Sequence, residues 1–291
     1  MGSGLYRAGP GRHKGVTPTR PSESLMPSLA TWNINSVRLR LPIVLDFLSQ
    51  YGPDVLCLQE IKCMNDQFPR SAFADAGYPH QAVHGQKGYH GVAILSKHPL
   101  DEITARGFCD IPDCRHVSAR LDFGKGPLTV HNFYVPAGGD EPNPEINPKF
   151  RHKLDFLAEM EDWFDDLVFD ERQLICGDFN VAPHENDVWS HKQLLKVVSH
   201  TPVETEALDR LLSRRNWVDL VRQHIPIEEK VYSWWSYRAK DWDMSDRGRR
   251  LDHIWATRDI AAHAKAAHIL RPARGWSEKP SDHVPVIVDF A

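Results

Sequence analysis

LICGDFN (174–180) is an apolar run that stops abruptly on a carboxylate, Asp178, and an amide, Asn180. A short apolar run of this kind reads as a buried strand. The polar side chains at its end then face whatever lies beyond the sheet. The same construction recurs along the chain. Leu29-Ala30-Thr31-Trp32 runs into Asn33-Ile34-Asn35, and Val55-Leu56-Cys57-Leu58 runs into Gln59-Glu60. Leu251 precedes Asp252-His253, and Ser281-Asp282-His283 enters the last apolar run. Side chains alternate across a strand, so Asn33 with Asn35, and Asp178 with Asn180, are each expected on one face. Carboxylates and amides converging from neighbouring strand ends would form an oxygen-lined pocket suited to Mg²⁺. One Asp-x-Asn at a strand end ordinarily caps a turn; five such sites in one chain point to a catalytic centre.

Outward from these runs, strands are predicted over residues 29–34, 54–59, 92–95, 117–123, 128–135, 173–176, 251–256 and 284–290. A helix follows the first strand, with Pro42 in its first turn and Leu41, Val44, Leu45 and Leu48 at helical spacing. A second is predicted over 148–167, with Phe150, Leu154, Leu157 and Met160 on one face. Thr201-Pro202 opens a third, the hydroxyl as cap and proline in the first turn. So many strands, several from hairpins, exclude a simple parallel doubly wound sheet. Two packed sheets with helices outside use them best.

Composition narrows the class. An apolar content of 41% with 25% charged residues suits a globular chain with a sizeable core. No apolar run is long enough to span a bilayer. The net charge of −4 conceals +3 in the first 25 residues and −7 in the remainder, which by itself weighs against a nucleic-acid binder. A metal site concentrates acids locally, however, while phosphate contacts need only a few placed cations. Five cysteines without CxxC spacing indicate neither a disulfide framework nor a zinc knuckle, and Cys57 and Cys176 read as small core residues. A reducing, cytoplasmic setting and a monomer are expected. Residues 1–25, rich in Gly, Pro, Ser and basic residues, read as a disordered extension before Met26, with an organellar presequence left open by composition. Residues 26–291 are expected to form a single catalytic domain.

LQEIK (58–62), NFYVPAGG (132–139), GDFNVAP (177–183), RRLDHIW (249–255) and SDHVPV (281–286) together resemble the exonuclease III branch of the endonuclease/exonuclease/phosphatase superfamily. The resemblance implies a four-layer α/β/β/α sandwich of two mixed sheets flanked by helices. It also implies a Mg²⁺-dependent apurinic/apyrimidinic endonuclease, with Mn²⁺ able to substitute and with 3′→5′ exonuclease and 3′-end-trimming activity on double-stranded DNA. Glu60 matches the principal metal ligand, with Asn33, Asn35 and Asp282 as further contacts to the metal region; an ion pair with Lys62 is the alternative reading of Glu60. His283 matches the catalytic histidine and Asp252 the carboxylate that orients it. Asp178 matches the group that positions or deprotonates the attacking water, and Asn180 the group that holds that water or the phosphoryl oxygen. Tyr134 matches a phenol that either donates to the phosphate or acts as base when ionised. Arg38, Lys87 and Tyr89 match segments that hold the DNA backbone. Trp234 and Leu251 match the wall of the pocket for the flipped sugar, whereas Trp235 reads as core.

Three residues depart from the family pattern. Ala137 replaces an amide after Tyr-x-Pro, Ser36 replaces a glycine, and Arg249 stands where relatives carry an apolar pocket residue. Ala137 removes a phosphate donor; Arg249 adds a phosphate contact or alters which lesion is accepted. An inositol-phosphate phosphatase would carry a Pro-Ala-Trp-x-Asp-Arg-like signature where this chain has Arg250-Leu251-Asp252-His253. A non-catalytic nucleic-acid-binding module would have lost a core residue, and none is lost.

Overall fold

Alternation along the long strands decides the architecture. In β1 (Ser28–Asn33) Leu29 faces one apolar core while Ala30 and Trp32 face another. In β2 (Val55–Gln59) Val55 and Cys57 share the first core, and Leu56 and Leu58 the second. A strand apolar on both faces must be covered on both. The computed structural model of the chain describes residues 27–124, 126–166, 172–214, 217–276 and 279–291. The extension expected over residues 1–25, with Met26, lies outside the described residues, as does Leu167 at the expected end of the second helix.

The remaining strands, in chain order, are β3 (His80–His84), β4 (Val92–Ser96), β5 (Asp101–Thr104), β6 (His116–Asp122), β7 (Pro127–Tyr134), β8 (Gln173–Asp178), β9 (Val218–Asp219), β10 (Trp234–Trp235), β11 (Gly248–Arg249), β12 (Asp252–Ala256), β13 (Ala264–Ile269) and β14 (Val286–Phe290). They form two six-stranded sheets, β13-β14-β1-β2-β4-β3 and β5-β6-β7-β8-β12-β9, with β10 and β11 as a separate ribbon. Each large sheet has one central parallel pair, β1 with β2 and β7 with β8, flanked by antiparallel neighbours. Leu29, Val55, Cys57, Val92 and Ile94 of one sheet meet Val130, Leu174, Cys176 and Ile254 of the other in the central core. Helix Leu41–Tyr51 covers the outer face of the first sheet through Ile43, Val44, Phe47 and Leu48. Helices Pro148–Asp166 and Pro202–Arg214 cover the second through Phe156, Leu157, Met160, Leu208 and Leu211. The result is the four-layer α/β/β/α sandwich.

Two local expectations are corrected. The buried face of helix Pro148–Asp166 carries Lys153 and Phe156 where the periodicity put Leu154, which is only half-buried. The Thr201 hydroxyl does not cap the next helix by accepting from its backbone; it donates to the Glu204 carboxylate at 2.7 Å, and Glu204 in turn accepts Thr201 N–H at 3.1 Å. Among the described residues no helix is long and apolar enough to cross a membrane.

Candidate active site

Topology brings the polar strand ends together. The C-terminal ends of the parallel strands β1, β2, β7 and β8 lie at one end of the sandwich, and the antiparallel strands β12 and β14 begin there. Asn33, Tyr134, Asp178 and Asp252 therefore meet at a common rim, with Glu60 and His283 in the adjoining turns. Asn33 Nδ2 donates to Glu60 Oε1 at 2.9 Å and to Asp178 Oδ2 at 2.8 Å. The Tyr134 hydroxyl donates to the same Glu60 oxygen at 2.8 Å. His283 Nδ1 lies 2.8 Å from Asp252 Oδ2, and its Nε2 lies 3.6 Å from Asp178 Oδ2.

Backbone turns, not the strand pleat, place the two amides. Asn35 and Asn180 have left the strands at φ 48° and 55°, so neither shares a face with its Asn33 or Asp178 partner by alternation. Asn and Asp tolerate this left-handed region better than most residues because their short side chains bond locally. Asn180 illustrates it: its N–H donates to Asp178 Oδ1 at 3.0 Å, and its Nδ2 to Val135 O at 2.9 Å and Asp178 Oδ2 at 3.2 Å. Gly177 just before is obligatory, for at φ 138° a Cβ there would lie 1.9 Å from the Phe133 carbonyl oxygen of the paired strand. Ser36, standing in a glycine-like position, also takes a positive φ of 88° while its N–H donates to Glu60 O at 2.7 Å. Ser281 closes the ring: its hydroxyl donates to Asn33 O at 2.7 Å and accepts His283 N–H at 3.2 Å.

Charge is sorted sharply within this cluster. Burial opposes the charged imidazolium of His283, but Asp252 and then Asp178 outweigh it and lift its pKa to about 10. Burial raises Asp178 to about 7, with His283 pulling it down and Asp252 adding to the rise. The pair is thus a firmly protonated imidazole facing a carboxylate that holds a proton readily. Burial followed by the charges of Glu60 and Asp178 pushes the Tyr134 phenol well above its ordinary value, which favours a neutral donor over an ionised base. Burial would raise Glu60 too, but Lys62 and the hydrogen bonds from Asn33 and Tyr134 leave it lowered.

Among the described residues, two groups of side chains at this rim offer ligand atoms for a cation. Asp178, Asp252 and His283 place one such atom each within 4.8 Å of the others. Both imidazole nitrogens there already face carboxylates, and a protonated ring offers no lone pair. The other group contains oxygen donors alone and suits a hard cation better. Glu60 Oε2 and Asn35 Oδ1 converge on the Lys62 ammonium, at 2.8 and 2.6 Å. Asp282 lies alongside, accepting from Asn35 Nδ2 at 3.1 Å and from Trp234 Nε1 at 3.0 Å. The ion pair weighed as the alternative reading of Glu60 is therefore present, and it marks where positive charge is favoured. Asn33 turns its Oδ1 to Asn35 N–H at 3.1 Å and its Nδ2 to two carboxylates, so it bridges them and points no oxygen at the cation position.

Above this floor opens a cavity of about 650 Å³ lined by Glu60, Tyr134, Asp178, Asn180, Asp282 and His283 below. Its wall holds Trp234, Arg249 and Leu251, and also Ala137. Trp235 is buried core beside it. Arg249 lies over the Trp234 ring at 5.2 Å and donates through Nη1 to Val198 O and Ser199 Oγ at 2.9 and 2.7 Å. Its buried Nε has no hydrogen-bond partner among the described residues. Arg38, Lys87 and Tyr89 are exposed and lie outside the cavity lining. Trp189, Arg238 and Arg247 also line the cavity and were not singled out from sequence, with Arg247 over the Trp189 ring at 4.7 Å. Charge gave no signal for the two arginines, since between Trp234 and Arg249 the cations Arg238, Lys240 and Arg247 are balanced by Asp241, Asp243 and Asp246.

The polar cluster at the rim of the two packed sheets is the candidate centre of a hydrolase. The chain matches the family described as Endonuclease/Exonuclease/phosphatase over residues 30–283. Exodeoxyribonuclease III of Haemophilus influenzae is 34% identical over 271 residues, spanning 89% of this chain and 98% of its own. An AP endonuclease from Archaeoglobus fulgidus superposes with a TM-score of 0.83 at 33% identity, covering 91% of this chain and 99% of that one. A Neisseria 3′ phosphatase bound to a product DNA hairpin gives 0.82 at 31%, with the same coverage of 91% and 99%. The chain belongs to the exonuclease III branch of that family, and it is a nuclease-type hydrolase.

Proposed function

We propose that this protein is a Mg²⁺-dependent DNA-repair phosphodiesterase. It cleaves the backbone 5′ to abasic sites and also removes nucleotides and blocking groups from 3′ ends. The observation that carries the reading is the Asp252–His283–Asp178 line, at 2.8 and 3.6 Å, on the floor of a cavity walled by Trp234, Arg249 and Leu251. The similarity to an exodeoxyribonuclease III, an AP endonuclease and a 3′ phosphatase supports the choice of substrates.

In this reading Asp178 and Asn180 hold the attacking water. The protonated His283, oriented by Asp252, donates to the phosphoryl oxygens, and Tyr134 adds a neutral donor. In-line displacement spreads charge over those oxygens, and fixed donors in a water-poor site are what stabilise it. Glu60, Asn35 and Asp282 would hold Mg²⁺, with Asn33 fixing Glu60 in place; a cation bound there neutralises phosphoryl charge. Trp234 and Leu251 form the wall for an extruded sugar, which flips at little cost because its base is missing. The Arg249 guanidinium, as part of the cavity wall, places positive charge beside a phosphate bound there. Arg38, Lys87 and Tyr89 are suited to hold the flanking duplex from the exposed rim.

Incubation with duplexes carrying one abasic site, a 3′-phosphate or a recessed 3′ end, with and without EDTA, tests the proposal. Metal-dependent cleavage 5′ to the abasic site is expected. Turnover of only the 3′-ended duplexes would favour a dominant exonuclease or 3′-phosphatase, as the Arg249 wall permits. Cleavage of none would sink the repair reading.

A further inference from the structure

Beneath the cavity, between helices Pro148–Asp166 and Pro202–Arg214, lies a lysine with no exposed surface. Lys153 Nζ donates to Glu204 Oε1 at 2.5 Å and to the backbone carbonyl of Asn180 at 2.7 Å. Glu204, equally buried, gathers Ser199 N–H at 2.9 Å on both oxygens, Thr201 N–H at 3.1 Å and the Thr201 hydroxyl at 2.7 Å. The segment it grips is the one that anchors Arg249, through Val198 O and Ser199 Oγ. From the third side Gly138 closes on the lysine shaft, so tightly that a Cβ there would come within 2.9 Å of Lys153 Cδ. One lysine side chain thus packs its shaft against the loop after Tyr134, while its ammonium ties the Asn180 turn and, through Glu204, the loop that carries the cavity wall.

A buried ion pair is a poor way merely to join two helices. Desolvating both charges offsets most of their attraction, and apolar side chains of similar volume would pack as well or better. What the pair does uniquely is fix backbone groups by charge-assisted hydrogen bonds. The tie to the Asn180 carbonyl adds to the bonds from its own N–H and Nδ2 that hold the residue at φ 55°. Lys153 does not line the cavity, so its effect on chemistry has to pass through the residues it holds.

We infer that Lys153 and Glu204 form a positioning pair for the reaction, holding Asn180 and the Arg249 wall in one fixed register. Removing the pair then slows the chemical step more than it weakens binding. This rests on the reading of Asn180 as part of the catalytic group. If the unaltered protein cuts none of the three duplexes above, it is that reading which fails, and the result is seen before any variant is made.

The test compares Lys153→Met, Glu204→Gln and the double variant for melting temperature, kcat and KM on the best duplex. Each single change leaves a buried charge without its partner, so both melting temperature and kcat are expected to fall. The double variant leaves no unpaired charge and is expected to regain most of its melting temperature. Its kcat should stay about ten- to a hundredfold low, with KM little changed. Recovery of kcat together with melting temperature would make the pair structural glue and overturn the inference. Thr201→Val, which removes one tie to Glu204 and leaves the ion pair intact, guards against a double variant that does not fold. A severalfold loss of kcat at unchanged KM is expected for it, and parental kcat would overturn the inference equally.

Discussion

His283 sits between two carboxylates that compete for the same ring, 2.8 Å from Asp252 and 3.6 Å from Asp178. The shorter contact fixes the ring and the longer one faces the cavity, so loss of either functional end has a distinct signature. Replacing His283 by Asn removes the charged donor, and Asp178→Asn removes the water-binding carboxylate. Each should lower turnover by at least about a hundredfold while abasic-duplex affinity stays near the parent's. Single-turnover cleavage paired with equilibrium binding separates the two quantities, and a near-normal rate in either variant contradicts its assigned role. Trp234 has the opposite expectation. Its indole walls the cavity and holds Asp282, so Trp234→Ala should raise the Kd for an abasic duplex by roughly tenfold or more. Unchanged discrimination between abasic and intact duplex would reduce Trp234 to a core residue.

Strand ends are the elements on which this site depends, and β7 and β8 show how narrow the tolerance is. Gly177 lets the two backbones approach where Tyr134 and Asp178 must meet; a methyl group there collides with main chain, which cannot swing aside. Gly177→Ala should therefore destabilise the protein by upward of roughly 2 kcal/mol, read as a fall of several degrees in melting temperature with loss of activity. A variant melting within about 2 °C of the parent would mean that the strands separate more easily than the pairing implies. Strands of the sheet interiors were legible from sequence because both their faces are apolar, as in LICGDFN. The four edge strands β3, β5, β9 and β13 were not. β5 buries none of its side chains, and β9 has only two residues, so neither leaves a periodic trace. The site was legible at Asp178, Asp252 and His283, where polar residues interrupt apolar runs. It was not legible at Lys153, because a charge on an otherwise apolar helix face reads as solvent-exposed until its buried partner Glu204 is seen 51 residues away.

Across the whole molecule, the second sheet and its helices enclose histidines held neutral outside the cavity lining. Arg106 N–H lies 3.3 Å from His116 Nδ1, His116 Nε2 lies 3.1 Å from His131 Nδ1, and His131 Nε2 lies 2.7 Å from Gln173 Oε1. One tautomer satisfies the whole line: His116 accepts at Nδ1 and donates from Nε2, and His131 does the same. Burial lowers His116 well below its ordinary value, with His131, His84 and Arg106 adding to the effect, and burial takes His131 to about 4 despite Gln173. Burial and then Arg250 take His253 to about 3, against Asp219, the Val181 carbonyl and Asp187. A histidine whose folded pKa is depressed binds its proton more readily when unfolded, so its stabilising contribution is present above about pH 6.5 and is lost as pH falls below that. His283, raised to about 10, works the other way, but only above about pH 6.5, because below that it is charged in both states. Asp187, held down at about 2 by Arg250 and Arg222 despite its burial, stays ionised throughout the window. The three histidines should therefore cost up to about 4 kcal/mol per pH unit below about pH 6.5, while Asp178, raised to about 7, takes up a proton on folding and offsets about a third of that, leaving a net loss as pH falls. Urea unfolding between about pH 8 and about pH 5 should show stability dropping steeply below about pH 6.5, with a shallower slope in His253→Gln. A flat profile across that window would mean that these rings gain protons in the folded protein as easily as in the unfolded chain.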